Sequence, residues 1–144
     1  MSEAQNKELV EQLFRELAVG NSQPFWERVS DDVEWTVIGS NSWSKTYVGK
    51  RAVLDELFVP LRKTLARPGR TIAQRLLADG DHVVVEARGD NLTKRGEPYQ
   101  NRYCFVIRMQ EGRVRAFTEY ADTELVTRLL GERPELGVGS AQQP

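Results

Sequence analysis

Residues 97–122 alternate in polarity with the two-residue period of a β-strand, and this segment constrains the fold more than any other part of the chain. One parity carries aromatic, apolar or amide side chains, namely Tyr99, Asn101, Tyr103, Phe105 and Ile107. The other parity is mostly polar up to a turn at Gly112, after which a second strand leads to Glu119. The pattern therefore predicts a β-hairpin with one buried face and a carboxylate near its end.

Helical patterns occupy the first part of the chain, and strand patterns follow. Ser2 and Gln5 have the spacing of a capping box ahead of an apolar stripe, which predicts a first helix to about Ala18. Two more helices are expected, and Pro60 should kink or stop the third of them near Val59. Helices followed by antiparallel strands predict an α+β fold in which the helices pack on one face of a curved sheet.

The length of 144 residues fits one domain, which we expect to span residues 1–131 and to be followed by a flexible tail at 132–144. The N-terminus is polar and acidic, unlike a signal peptide, and no apolar run reaches membrane-spanning length. The single cysteine, Cys104, excludes a disulfide framework within one chain. We therefore expect a cytoplasmic protein.

Charge and motif content disfavour several kinds of partner. The 20 Lys and Arg residues against 21 Asp and Glu residues give a formal net charge of −1, which offers no electrostatic footprint for nucleic acid or an anionic membrane. His82 is the only histidine, so a usual metal site cannot be completed. The sequence also lacks a phosphate-binding loop and a dinucleotide fingerprint, so we expect no metal and no cofactor.

The motifs of the hairpin carry a family resemblance. The motif N-x-Y-x-F-x-x-R at residues 101–108 is followed by G-R-V at 112–114 and E-Y-x-D-T at 119–123. This series resembles the C-terminal hairpin of SnoaL-like proteins, which belong with ketosteroid isomerase to the nuclear transport factor 2 (NTF2-like) superfamily. The resemblance implies a cone-shaped, curved and mostly antiparallel sheet, closed by N-terminal helices around a deep apolar pocket as a cystatin-like α+β barrel.

Glu119 is the first candidate for catalysis. A carboxylate on a half-buried strand has its pKa raised by desolvation and can act as a general base or acid near neutral pH. In the related limonene-epoxide hydrolases, a water-activating aspartate falls on Glu119, which implies that Glu119 and Phe117 face the cavity. The alternative is an exposed glutamate at a strand end, paired with an arginine.

Arg88 and Asp90 are further catalytic candidates, because an R-x-D pair places opposite charges on one strand face. The same hydrolases carry R-x-D on the equivalent strand, which implies a triad of Asp90, Arg88 and Glu119. The alternative is an outward polar face, since these residues alternate with apolar ones at Val83, Val85 and Ala87.

The resemblance fails at two places that matter for chemistry. The tyrosine and asparagine that help hold water in the epoxide hydrolases fall near Trp35 and Val37, which disfavours epoxide opening by that mechanism. The aspartate base of ketosteroid isomerase falls on Thr36, which disfavours that enzyme's proton transfer. The sequence therefore predicts the fold better than it predicts a reaction.

Four further side chains are candidates for binding a substrate. Asn101 and Tyr103 share a face and could donate hydrogen bonds to a carbonyl or developing oxyanion, although buried polar side chains are more often bonded to backbone. Trp35 and Trp43 offer large apolar surfaces suited to the wall or lid of a pocket.

Two functions remain open from the sequence. The first is a cofactor-independent acid–base enzyme, of isomerase, cyclase, dehydratase or epoxide hydrolase type, acting on a small apolar ring-containing molecule. The second is a non-catalytic ligand-binding or dimeric assembly module. The fold also implies a homodimer formed through the outer sheet face. On that face lie Arg102, Cys104, Val106 and Arg108.

Overall fold

The computed structural model describes residues 1–135, and its centre is a curved six-stranded sheet in the order β2-β1-β8-β7-β4-β3. The strands are β1 (Val29–Val37), β2 (Lys45–Val48), β3 (Thr71–Asp79), β4 (His82–Gly89), β5 (Asn91–Leu92), β6 (Pro98–Tyr99), β7 (Arg102–Gln110) and β8 (Arg113–Ala121). β1 and β8 run parallel, the other neighbours run antiparallel, and β5 pairs with β6 outside the main sheet. The predicted α+β fold is confirmed, but the sheet is not closed into a barrel.

The predicted hairpin is formed by β7 and β8. Glu111 and Gly112 connect the strands with positive φ angles of 51° and 75°, as a two-residue turn with the twist of a hairpin requires. Phe105 lies directly opposite Glu119, and Ile107 lies opposite Phe117. The inner face of the hairpin is therefore aromatic and apolar, with one carboxylate among these side chains.

The N-terminal helices cover the inner face of the sheet. They are α1 (Glu3–Leu17) and α2 (Gln23–Arg28), and α1 begins with the predicted capping box between Ser2 and Gln5. Val10, Leu13 and Phe14 of α1 are buried in the core. A last helix, α5 (Thr123–Leu130), begins at Asp122, whose side chain accepts a hydrogen bond from the Leu125 N–H.

The third helical segment has an unusual hydrogen-bond spacing. It consists of α3 (Lys50–Ala52), a π-helix (Val53–Phe58) and α4 (Val59–Thr64). Pro60 was expected to kink or stop the helix near Val59, yet the segment continues to Thr64. Pro60 has no N–H to donate to the carbonyl of Glu56, and the guanidinium of Arg133 donates to that oxygen instead, at 3.1 Å.

The first residues of the C-terminal segment are hydrogen-bonded to the rest of the domain. Arg133 donates its backbone N–H to Ser42 Oγ at 2.7 Å, in addition to its bond with Glu56. Residues 136–144, which form most of the predicted tail, lie outside the described residues. Within residues 1–135, no helix is both long enough and apolar enough to cross a membrane.

Candidate active site

A cavity of about 450 Å³ lies between the helices and the inner face of the sheet. Its aromatic wall consists of Phe14, Phe25, Trp26, Trp35, Trp43, Phe58, Phe105 and Phe117. Its polar groups are Ser22, Asn41, Arg62, Thr71, Asn91, Tyr99, Tyr103, Glu119 and Thr123. A mostly apolar wall with a few polar groups is the usual composition of a site for a small organic molecule.

Glu119 lies on this wall in the middle of the sheet. Its neighbours across the strands are Phe105 on β7 and Val37 on β1, and both of these also line the cavity. Burial raises the pKa of Glu119 from 4.5 to about 7, against a smaller lowering effect of Trp35. Glu119 is therefore close to half ionised at neutral pH and can both accept and return a proton.

Trp35 is both part of the wall and a neighbour of the carboxyl group. Its ring stacks on Phe117 with centroids 3.8 Å apart and an interplanar angle of 10°. Its buried indole N–H makes no hydrogen bond of regular geometry among residues 1–135, but it lies close enough to the Glu119 carboxyl to lower the pKa of that group as a hydrogen-bond donor. The indole N–H therefore favours the carboxylate form of Glu119.

Asn101 is close to the site but does not line the cavity. Its side chain is 0 % exposed, and its Oδ1 accepts hydrogen bonds from the backbone N–H groups of Arg102 and Asp122 at 2.7 and 3.0 Å. Its Nδ2 donates to the hydroxyl of Tyr99 at 3.0 Å and to the carbonyl of Asp122 at 3.1 Å. The amide predicted to hold a substrate oxygen is thus already bonded within the protein, and it fixes Tyr99.

Tyr99 and Tyr103 carry the phenolic hydroxyl groups of the wall. Burial raises the pKa of Tyr99, and it raises the pKa of Tyr103 well above its usual value, so both remain protonated near neutral pH. Negative charge on Glu119 raises both further, which places all three groups in one electrostatic environment. The Tyr99 oxygen accepts a hydrogen bond from Asn101 Nδ2 at 3.0 Å, which leaves the Tyr99 O–H available as a donor. The Tyr103 hydroxyl is close enough to lower the pKa of Tyr99.

The structure does not bring Arg88 and Asp90 to the cavity. Arg88 is exposed on the outer face, where it lies opposite Arg102, and Asp90 forms an ion pair of 3.6 Å with Arg67. The reason is the parity of β4, whose buried side chains are Val83, Val85 and Ala87. The triad that the resemblance to the epoxide hydrolases implied is therefore not formed. Arg88 instead lies on an outward polar face, as the alternative predicted.

Trp43 lines the cavity from the loop between β1 and β2. Its indole N–H donates to the Gly131 carbonyl at 2.9 Å, and its own carbonyl accepts from the Tyr47 hydroxyl at 2.7 Å. The first bond joins the loop to the end of α5, whose Val126 and Leu130 also line the cavity, and the second fixes the loop to β2. The Trp43 loop and the C-terminal segment therefore form one side of the cavity together.

Sequence analysis did not select several polar residues of the wall, among them Tyr99, Asn91 and Arg62. Tyr99 shares its strand parity with Asn101 and Tyr103, so the alternation predicted the correct face for it. The alternation gave no reason to select Tyr99 as a site residue. Asn91 follows Gly89 after β4 has ended, where strand parity no longer predicts direction. Within the part of the chain that the structure describes, no group of three or more His, Cys, Asp or Glu side chains could hold a metal ion.

Residues 10–117 match the family model of the SnoaL-like domain, which covers most of the chain. The chain belongs to the SnoaL-like domain family. No curated protein matches this SnoaL-like chain.

Solved structures agree with this assignment at the level of the fold. An NTF2-like protein of unknown function from Burkholderia pseudomallei K96243 is 19 % identical, with 86 % of this chain and 95 % of that chain covered and a TM-score of 0.74. A candidate SnoaL-like polyketide cyclase from Jannaschia sp. CCS1 is 18 % identical, with 92 % and 95 % covered and a TM-score of 0.71. TerC, co-crystallised with polyporic acid, is 19 % identical, with 87 % and 97 % covered and a TM-score of 0.73. This SnoaL-like domain therefore has the NTF2-like fold.

Proposed function

We propose that this SnoaL-like domain is a cofactor-independent enzyme that transfers protons on a small, mostly apolar, ring-containing molecule. The observation that carries the proposal is the meeting of Glu119, with its pKa near 7, and the Tyr99 hydroxyl on the wall of one apolar cavity. A base with a pKa near the working pH and a donor for developing negative charge are the two groups that such a reaction requires.

The proton transfer starts with the carboxylate form of Glu119. Glu119 takes a proton from a carbon next to a carbonyl group, and the C–H electron pair becomes part of an enolate. The Tyr99 O–H donates a hydrogen bond to the enolate oxygen, while the hydrogen bond from Asn101 holds Tyr99 in place. Return of the proton to another carbon completes an isomerisation, and its transfer to a leaving hydroxyl group completes a dehydration.

Isomerisation, cyclisation and dehydration are favoured over epoxide opening. Epoxide opening in the related hydrolases uses an acid at the R-x-D position, and here Arg88 and Asp90 lie away from the cavity wall. The names of the structural neighbours, a candidate polyketide cyclase and a protein crystallised with polyporic acid, agree with a ring-containing substrate. Stacked aromatic side chains such as Trp35 and Phe117 would hold the ring.

Exchange of hydrogen for deuterium tests the proposal without knowledge of the natural substrate. We expect the protein to accelerate α-hydrogen exchange in at least one compound of a panel of 2-tetralone, 3-keto steroids and β-dicarbonyl compounds, measured in D₂O by mass spectrometry. The value of kcat/KM should rise with pH through about 7 and then level off, because the ionised Glu119 is the base. Absence of acceleration across the panel would contradict the proposal and favour the ligand-binding module.

We also propose that the domain forms a homodimer through the outer face of its sheet. Cys104 and Val106 on β7 are partly exposed there, opposite Tyr120 and Thr118 on β8, and Tyr120 is 44 % exposed. Sedimentation equilibrium should give twice the chain mass of 16.4 kDa, and Val106→Asp should shift the mass toward one chain. A monomer at every concentration would contradict this proposal.

A further inference from the structure

Within residues 1–135, the cavity wall carries one positive charge without a partner of opposite sign. Arg62 and Glu119 are the charged residues of this part of the wall, and because Arg62 both lines the cavity and is exposed, we place it at the cavity entrance. The guanidinium of Arg62 donates one hydrogen bond, to the Leu65 carbonyl at 3.0 Å, and no carboxylate of the described chain lies within 4.0 Å of it. Most of its N–H groups are therefore free for a ligand.

Asn91 supplies a second donor close to this entrance. The residue is 8 % exposed and lines the cavity, and its Oδ1 accepts a hydrogen bond from the Arg70 N–H at 3.0 Å. The Asn91 Nδ2 donates to no group within residues 1–135, and it is not among the fully buried unpaired atoms of that part of the chain. Water or a ligand oxygen can therefore reach this donor from the cavity.

Two glycines show how the Asn91 amide is oriented. A Cβ at Gly69 would be 3.0 Å from Asn91 Oδ1 and 3.8 Å from Leu65 Cδ1, so the amide oxygen faces the residue whose carbonyl Arg62 contacts. A Cβ at Gly89 would be 2.9 Å from Asn91 Nδ2 and 3.4 Å from the Tyr103 hydroxyl, so the amide donor lies on the side of the tyrosines.

We infer that the molecule bound in this cavity is a ring-bearing carboxylic acid, whose carboxylate is held by the Arg62 guanidinium, while the Asn91 amide donates to a polar group of the molecule nearer the tyrosines. This inference rests on the proposed function and narrows its substrate class from apolar ring compounds in general to acidic ones. A guanidinium offers the paired N–H groups that match a carboxylate, and the apolar wall beside it strengthens the attraction. Negative charge on Glu119 repels a second anion, so the carboxylate lies at the entrance and the reacting carbon lies near Glu119.

Binding of matched acids and amides tests this inference. Equilibrium dialysis at pH 6 would compare 2-naphthoate with 2-naphthamide, 2-naphthylacetate with its amide, and 4-biphenylcarboxylate with its amide. At least one acid should bind about 10-fold more tightly than its amide, as expected for a hydrogen-bonded charge pair at a partly exposed site. At this pH the acids are ionised while Glu119 is mostly protonated.

Variants of two neighbouring cationic residues distinguish specific binding of the carboxylate by Arg62 from a general attraction of anions to positive charge. Arg62→Gln should remove the preference for the acid and leave amide binding unchanged, and Arg62→Lys should keep part of the preference. Lys63→Gln removes the same charge from the next residue, which does not line the cavity, and should change nothing. If no acid of the panel is preferred, or if Arg62→Gln keeps the preference, the inference is overturned.

The same measurement on Glu119→Gln distinguishes this inference from the proposed function. The acid preference should persist in that variant, because Arg62 and not Glu119 provides it. If the wild type prefers an acid but accelerates no exchange, acid binding is supported and proton transfer is contradicted. If the wild type accelerates exchange but prefers no acid, the inference alone is overturned.

Discussion

The Glu119→Gln variant is expected to lose proton transfer by a factor of about 10²–10⁴ while it keeps the fold. Glutamine has the size and shape of glutamate, so the packing around β8 is preserved. Its amide, however, cannot accept a proton from carbon near neutral pH. The exchange assay at pH 8, where the wild-type carboxylate is ionised, measures the loss.

The same substitution should raise stability, and the effect depends on pH. Because burial raises the pKa of Glu119 from 4.5 to about 7, the folded protein binds more protons than the unfolded chain between these pH values. Stability from this group is therefore complete below pH 4.5 and falls as the pH rises to about 7. The ionised carboxylate then costs up to roughly 3 kcal/mol, which Gln does not incur.

Urea unfolding at pH 4 and pH 8 measures this second effect. Glu119→Gln should be more stable than the wild type at pH 8, and the difference should be small at pH 4. Glu86→Gln is the matched control, because Glu86 lies on the outer face of β4 and pairs with Arg75. Full exchange activity in Glu119→Gln would remove Glu119 from the role of base, and an equal difference at both pH values would show that its carboxylate is not desolvated.

The shared direction of Glu119 and Phe117 could be predicted from the sequence, because residues two apart on a strand point to the same face. The structure adds a β-bulge that the sequence pattern did not predict. The turn at Glu111 and Gly112 pairs Gln110 with Arg113, and the bulge next to Met109 then shifts the register by one residue, so that Glu119 lies opposite Phe105. The inward position of Glu119 was therefore implied by the resemblance and is produced by the bulge, not by the turn alone.

Other parts of the site depend on contacts between distant residues. Asn101 and Tyr99 share one parity, and only the bonds of Asn101 to Asp122, 21 residues away, remove Asn101 from the wall and leave Tyr99 there. The continuation of the helix past Pro60 likewise involves Arg133, which lies 77 residues beyond its bonding partner. The catalytic role predicted for Arg88 was wrong for another reason. It followed from the resemblance to the hydrolases, although the alternation along β4 already favoured the outer face.

The second large effect is expected for Asn101→Ala, which should destabilise the fold by about 3–5 kcal/mol. The substitution leaves the N–H groups of Arg102 and Asp122, the Asp122 carbonyl and the Tyr99 hydroxyl without the partner that they have now. Each unpaired buried group costs about 1–3 kcal/mol, reduced where water can enter. The free energy of unfolding in urea measures the total.

Two further variants identify which bonds of Asn101 matter. Asn101→Asp keeps the acceptor for the two N–H groups but loses the donor to the Asp122 carbonyl, so its loss should be smaller than that of Asn101→Ala. Asn21→Ala removes an exposed amide that contacts Glu16, and it should change stability by less than about 0.5 kcal/mol. A loss below about 1 kcal/mol in Asn101→Ala would mean that water replaces these bonds. The end of β8 and the start of α5 would then be held by packing, and Tyr99 would lack the fixed position that the proposed proton transfer requires.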